Sequence, residues 1–299
     1  MTITTSSLAL TCFTLLAAGY VLFAVLGQVK SLAPVIREAW PILLMETLIV
    51  GSAAGAFWIG GWVLTIALLA LAARTGYEAA KVAGLRHSVG HPARIGGAII
   101  VLALLASFVP MPLLAIAAPG AAALVITAIR AQKGKPDNPI KVALDLALFP
   151  VLPLVVFTAA GLQGLFETWL LIAFILVETF DSYALLGGKL FGKHKAFPIL
   201  SPNKTIEGLA IGAVMLMLTA AGIGALLAGL PVLASAGIAL FAGALTLAGD
   251  LLASRLKRLS GVKDYPQVLP HQGGLLDITD AWIVTGAGLV CLVTALRLV

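Results

Sequence analysis

The residues Asp250 to Asp280, DLLASRLKRLSGVKDYPQVLPHQGGLLDITD, stand between two long apolar runs, Val232–Gly249 and Ala281–Leu298. That setting decides how the whole chain is read. Within the stretch, Asp250, Asp264, Asp277 and Asp280 alternate with Arg255, Lys257, Arg258 and Lys263. Carboxylates at this density suit a divalent cation, and interleaved lysine and arginine suit phosphate. The Gly273-Gly274 pair lets a ligand approach the backbone. The bland alternative is a solvated loop whose basic residues only fix membrane topology.

The rest of the chain makes the membrane setting unavoidable. Of 299 residues, 61% are hydrophobic and 11% charged, and the mean hydropathy is +1.08. Helices apolar on every side need lipid or a very large core, which excludes an ordinary soluble domain. Cys12 and Cys291 both fall inside apolar runs, so neither a disulfide framework nor a zinc site is expected. The net charge of +6 resides largely in short loops and reads as a topology signal, with no nucleic-acid partner implied. The first apolar run lacks a basic leader and reads as a retained helix.

Apolar segments long enough for a bilayer recur about ten times, each near 20 residues. They are Ser7–Leu26, Pro41–Trp58, Ile59–Ala73, Ile95–Val109, Met111–Ile129, Val142–Ala160, Thr168–Leu186, Ile206–Gly229, Val232–Gly249 and Ala281–Leu298. The expected fold is an all-α polytopic membrane protein. Basic loops at 74–94, 130–141, 187–205 and 250–280 are each separated by two spans, so they share one face. The excess of Lys and Arg assigns that face to the cytoplasm of a cell (inner) membrane. The division at Gly60-Gly61 competes with one overlong tilted helix.

A second polar island, ETFDSYALLGGKLFGKHKAFPILSPNKTIEG, runs from Glu178 to Gly208. Glu178 and Asp181 stand at helical i, i+3 spacing, and an acidic pair at a membrane helix end is costly enough to suggest function. Ser201 or Asn203 is expected to cap the next helix, with Pro202 in its first turn. Lys204 and Thr205 at that N-terminus suit a phosphate. The plain reading is an ordinary cap beside a topogenic loop. Both islands combine carboxylate, lysine and glycine on one face, a mixture suited to phosphoryl or nucleotidyl transfer on a lipid. A transporter would instead place acids at mid-bilayer. Glu46 and Asp145 are the only candidates, and snorkelling accommodates both.

These residues resemble the phosphatidate cytidylyltransferases. Ser254, Lys257, Arg258, Lys263 and Asp264 match the family pattern S-x-x-K-R-x4-K-D, and Pro270, Gly273, Gly274, Leu276, Asp277 and Asp280 match most of P-G-H-G-G and L-D-R-x-D. In the first island Asp181, Lys189, Lys193, His194 and Lys195 match, followed by Ser201, Lys204, Thr205, Glu207 and Gly208 of S-P-x-K-T-x-E-G. Glu78 occupies a position where the family often carries an acid. The resemblance extends from about Pro41 onward. It implies a family domain over 41–299, preceded by an additional helix and loop over 1–40.

The resemblance further implies transfer of CMP from CTP to phosphatidic acid, with magnesium at the site, potassium nearby, and a homodimer. It assigns the metal to Asp264, Asp277, Asp250, Asp280 and Asp181, and catalysis to Asp264, Asp277, Lys263 and Lys257. Substrate binding falls to Ser201, Lys204, Thr205, Glu207, Lys189, Ser254, Arg258, His271, Gln272, Gly273 and Gly274. Three departures stand out: Gln272 replaces the family histidine with His271 before it, Ile278 replaces an arginine, and Leu185 replaces a tyrosine. They admit a retargeted acceptor. They also leave room for a catalytically silent lipid-binding or assembly partner, or for a CTP-dependent lipid kinase.

Overall fold

The computed structural model describes residues 4–30, 33–86, 90–117, 139–224, 231–268 and 273–297. The chain is an all-α polytopic membrane protein with one small hairpin of strands. In order, the elements are α1 (Thr5–Leu26), α2 (Ala33–Ile59), α3 (Gly61–Ala83), α4 (Pro92–Ser107), α5 (Pro139–Leu146), α6 (Leu152–Leu162) and α7 (Glu167–Phe191). Then follow β1 (Lys195–Phe197), β2 (Ser201–Thr205), α8 (Ile206–Ile223), α9 (Val232–Leu259) and α10 (Leu275–Ala295). Among the described residues six helical stretches are long and apolar enough to cross a membrane, and three shorter apolar helices lie at Leu43–Ile59, Pro92–Ser107 and Ile206–Gly222. Residues 111–117 are helical, and the rest of the expected span to Ile129 lies outside the described residues.

The chain forms two compact units, Thr2–Ala67 and Leu68–Val299. In the first, α1 and α2 pair through an aromatic seam: Trp40 packs 5.8 Å from Tyr20 and 5.7 Å from Phe23, and the Tyr20 and Thr47 hydroxyls bond at 2.8 Å. The expected break at Gly60-Gly61 is real. Both glycines have positive φ, 64° and 51°, a conformation other residues adopt only with strain.

In the second unit α10 packs against α6, α7 and α9. Trp282 is its anchor, edge-on to Phe157 and Phe174 at 5.0 Å each, its indole N–H donating to the Leu170 carbonyl at 2.8 Å. Two glycine contacts set the spacing of the functional helices. A Cβ on Gly249 would stand 2.8 Å from the Asp280 carbonyl oxygen, so α9 and α10 touch backbone to backbone. One on Gly208 would stand 2.5 Å from the Ala184 carbonyl oxygen, and α7 and α8 cross as closely.

Two sequence expectations need correction. The chain was expected to leave helix at Gly249 and regain it at Ala281, yet α9 runs on to Leu259 and α10 starts at Leu275. Asp250, Ser254, Arg255, Lys257, Arg258, Asp277 and Asp280 are therefore helical. Long charged side chains are good helix formers, so charge ends the apolar run without ending the helix. The breaks come at Ser260-Gly261 and Gly273-Gly274, where Gly261 and Gly273 have φ of 76° and 78°. The other correction concerns the entry to α8. Ser201–Thr205 pairs as a strand with Lys195–Phe197, so Pro202 is in an edge strand and Thr205 is the cap, its Oγ1 accepting from the Gly208 N–H at 3.2 Å.

Asp145 does more than snorkel. It is buried, and its carboxylate takes both prongs of the Arg255 guanidinium, at 2.6 and 3.4 Å, tying α5 to α9. Breaking a fully buried pair costs about 3–5 kcal/mol, but Arg255 is about one-third exposed and water screens part of that. Arg255→Met is expected to lower stability by about 2 kcal/mol in a mixed-micelle denaturation titration, and pairing it with Asp145→Leu to recover most of the loss.

Candidate active site

Five pieces of the second unit carry the polar residues to one place: the end of α7, the β1–β2 hairpin, the last turns of α9, the loop from Ser260 to Gly274, and the first turn of α10. The α7–α8 glycine crossing draws the hairpin down between them. Lys204, on β2, then bridges two helices, pairing with Asp250 of α9 and lying 3.4 Å from Asp181 of α7. Burial pulls the Lys204 ammonium toward neutrality, but Asp250 and Asp181 outweigh it and raise its pKa above the ordinary lysine value. It stays a cation at the centre of the site.

A second pair joins α9 to α10. The Lys257 ammonium lies 2.5 Å from Asp277 Oδ1, and both side chains are nearly buried. Asp277 Oδ2 accepts from the Tyr265 and Gly274 N–H groups at 2.8 and 2.9 Å. Lys257 also stands 5.3 Å from the Tyr265 ring centroid. Burial, with the charges of Asp280, Asp277 and Glu78, pushes the Tyr265 phenol up, so it remains a donor, to the Ala253 carbonyl at 3.3 Å. Asp280, buried, is close enough to Asp250, Lys257 and Asp181 to feel all three charges.

The site therefore gathers Asp181, Lys204, Asp250, Lys257, Asp277 and Asp280. Thr205 is at its edge but is occupied as the α8 cap. Glu207 turns back on the hairpin, accepting from the Lys193 and His194 N–H groups at 3.0 and 3.2 Å and meeting His194 Nδ1 at 2.5 Å. Its partners are therefore the strap that leads into β1. Ser201 is half-buried opposite Phe197, and Ser254 is half-buried on α9. Lys189 is exposed on the last turn of α7, and Lys263 and Asp264 are exposed on the loop. Arg258 is exposed and donates to the Val262 carbonyl at 3.2 Å. Gly273 and Gly274 wrap Asp277: a Cβ on Gly273 would meet its Oδ2 at 2.5 Å. His271 and Gln272 lie outside the described residues, and Ile278 is half-buried on α10.

One residue that sequence reasoning left without a role is structural. Glu78 on α3 is fully buried and its carboxylate accepts from the Leu275 and Leu276 N–H groups at 3.1 and 2.8 Å, the free donors that begin α10. Arg74 completes it at 2.7 Å. The sequence signals were an acid beside an apolar run and its match to a position where the resembled family often carries an acid.

The profile of the Cytidylyltransferase family matches residues 42–296. A phosphatidate cytidylyltransferase of Staphylococcus aureus (strain COL) is 36% identical over 136 residues, 43% of this chain and 52% of that protein. One of Bacillus subtilis (strain 168) is 40% identical over 118 residues, 39% of this chain and 44% of that protein. An uncharacterized protein of Escherichia coli (strain K12), YnbB, is 41% identical over 118 residues, 39% of this chain and 40% of that protein. The matched stretch spans about half the length of these curated relatives. With a match across most of its length, and with Lys204 of the first island paired to Asp250 of the second, the chain belongs to the cytidylyltransferase family.

Proposed function

We propose that the protein transfers CMP from CTP to a lipid phosphate, phosphatidate in the first instance, releasing pyrophosphate at the cytoplasmic face of the cell membrane. The observation that carries this reading is Lys204 set between Asp181 and Asp250, beside the Lys257–Asp277 pair. Buried lysines among carboxylates at a membrane helix end suit a polyphosphate and a metal held together. The names of the relatives supply the substrate class.

A phosphate oxygen of the lipid attacks the α-phosphorus of CTP. The bond from that phosphorus to the bridging oxygen breaks, and pyrophosphate leaves with the electron pair. Lys204 and Lys257 neutralise the crowded phosphates, and the exposed Lys263 and Arg258 receive the leaving group. Asp181 and Asp250 hold Lys204, Asp277 holds Lys257, and with Asp264 and Asp280 these carboxylates offer hard oxygen donors. That donor set fits magnesium, which takes one or two carboxylates and fills its shell with water and phosphate. Among the described residues no three acidic, histidine or cysteine side chains converge on one point, so an ion here would rest on few protein ligands and on the nucleotide. Magnesium would supply charge neutralisation at the α- and β-phosphates. Potassium and a second copy of the chain belong to the same reading.

The test is pyrophosphate release by purified protein in detergent with magnesium, CTP and phosphatidate. Release is expected to require both substrates and to yield CDP-diacylglycerol. Transfer of the γ-phosphate with CDP as product would assign a kinase instead. CTP binding without turnover on any lipid phosphate would assign a silent partner.

A further inference from the structure

The β1–β2 hairpin carries a feature that the transfer chemistry does not use. Its tip, Pro198-Ile199-Leu200, closes the two strands, and Ile199 is 85% exposed. The end of α7 leading into it is also apolar and open, with Leu190 64% and Phe191 60% exposed. Around these, Lys189, Lys193 and Lys195 are exposed, and no Asp or Glu occurs between Ser182 and Ile206. The nearest acid in sequence beyond the hairpin, Glu207, is engaged by His194 and the backbone. Ile199, Leu190 and Phe191 together leave apolar side chains open on the hairpin and on the helix end that leads into it, with lysines along the same segment. At a bilayer surface they have a partner. The hairpin joins α7 and α8, both apolar enough to lie in lipid, so it starts at the interface and needs no diffusion to reach it.

We propose that the hairpin is an interfacial anchor, with Ile199 at its tip seated among acyl chains and Lys189, Lys193 and Lys195 on anionic headgroups. Apolar tips buried to headgroup depth, flanked by basic residues, bind anionic leaflets through both terms together. Each lysine near such a surface favours contact by about fivefold. Because β2 ends in Lys204 and Thr205, seating the tip also fixes the strand that holds the central cation. The inference depends on the membrane setting alone and stands whatever lipid the site acts on.

A nitroxide at Ile199→Cys, in the full chain with Cys12→Ala and Cys291→Ala, tests it. The protein is reconstituted into vesicles of phosphatidylcholine with or without phosphatidylglycerol. Accessibility to oxygen is compared with accessibility to a water-soluble nickel chelate. A label at Leu218→Cys, on the exposed apolar face of α8, serves as the lipid reference. The expected result is an oxygen preference approaching that reference, stronger with phosphatidylglycerol and reduced by Lys193→Gln with Lys195→Gln. Free access of the chelate in both vesicles would overturn the anchor. Protection from both reagents would overturn it as well, by showing that protein, such as a second copy of the chain, covers the tip.

Discussion

Replacing Asp277 with asparagine is expected to lower CMP transfer by about a thousandfold while the protein still folds, a loss on the scale of removing one preorganised electrostatic group from a transition state. The substitution keeps the shape of the side chain, and one amide oxygen can still accept from Tyr265 or Gly274. What disappears is the charge that holds Lys257, 2.5 Å away. An amide nitrogen must then face either that ammonium or two backbone donors, so Lys257 keeps at most a neutral acceptor, and only with both backbone bonds broken. The stability cost is smaller, about 1–2 kcal/mol for one imperfect buried hydrogen-bond set. Pyrophosphate release at saturating CTP and phosphatidate, read beside a thermal unfolding profile in the same detergent, separates the two. Activity within tenfold of the unsubstituted protein would mean that Asp277 only folds the loop and carries no catalytic burden.

The two polar islands were legible because charge in so apolar a chain is conspicuous. Their convergence on one face also followed from counting spans. What sequence could not give was how the islands touch. Lys204 meets Asp181 and Asp250 because Gly208 lets α8 press on α7, a contact set by a missing side chain. Local signals were also misjudged in places. Thr205, the last residue before the Ile206 run, was a better cap candidate than Ser201, which pairs across a hairpin too short to leave a period-2 pattern. The ends of α9 and α10 were misplaced because hydropathy reports where lipid stops and not where helix stops. Asp145 and Arg255 stand 110 positions apart, and nothing local in either segment names the other.

Glu78 is the extreme case, 197 residues from Leu275, and it sets the second large expectation. Glu78→Ala should cost about 3 kcal/mol, because it strands two buried N–H donors and removes an anion from a helix N-terminus. The loss should concentrate in the first turn of α10. Hydrogen exchange there is expected to quicken by about a hundredfold, the same free energy read locally. Glu78→Gln, which retains one acceptor of equal reach but no charge, should fall between. Gly274 packs against this carboxylate so closely that a Cβ would stand 2.6 Å from its Oε2, so the start of α10 is fitted to this side chain. The same turn carries Asp277, so a frayed start to α10 also blurs the position of Lys257 and lowers turnover in molecules that remain folded. Unchanged exchange in Glu78→Ala would show that α10 is held by its Trp282 packing alone. Faster exchange with full activity would show instead that the site tolerates a loose helix end, which a reaction relying on preorganised charge should not.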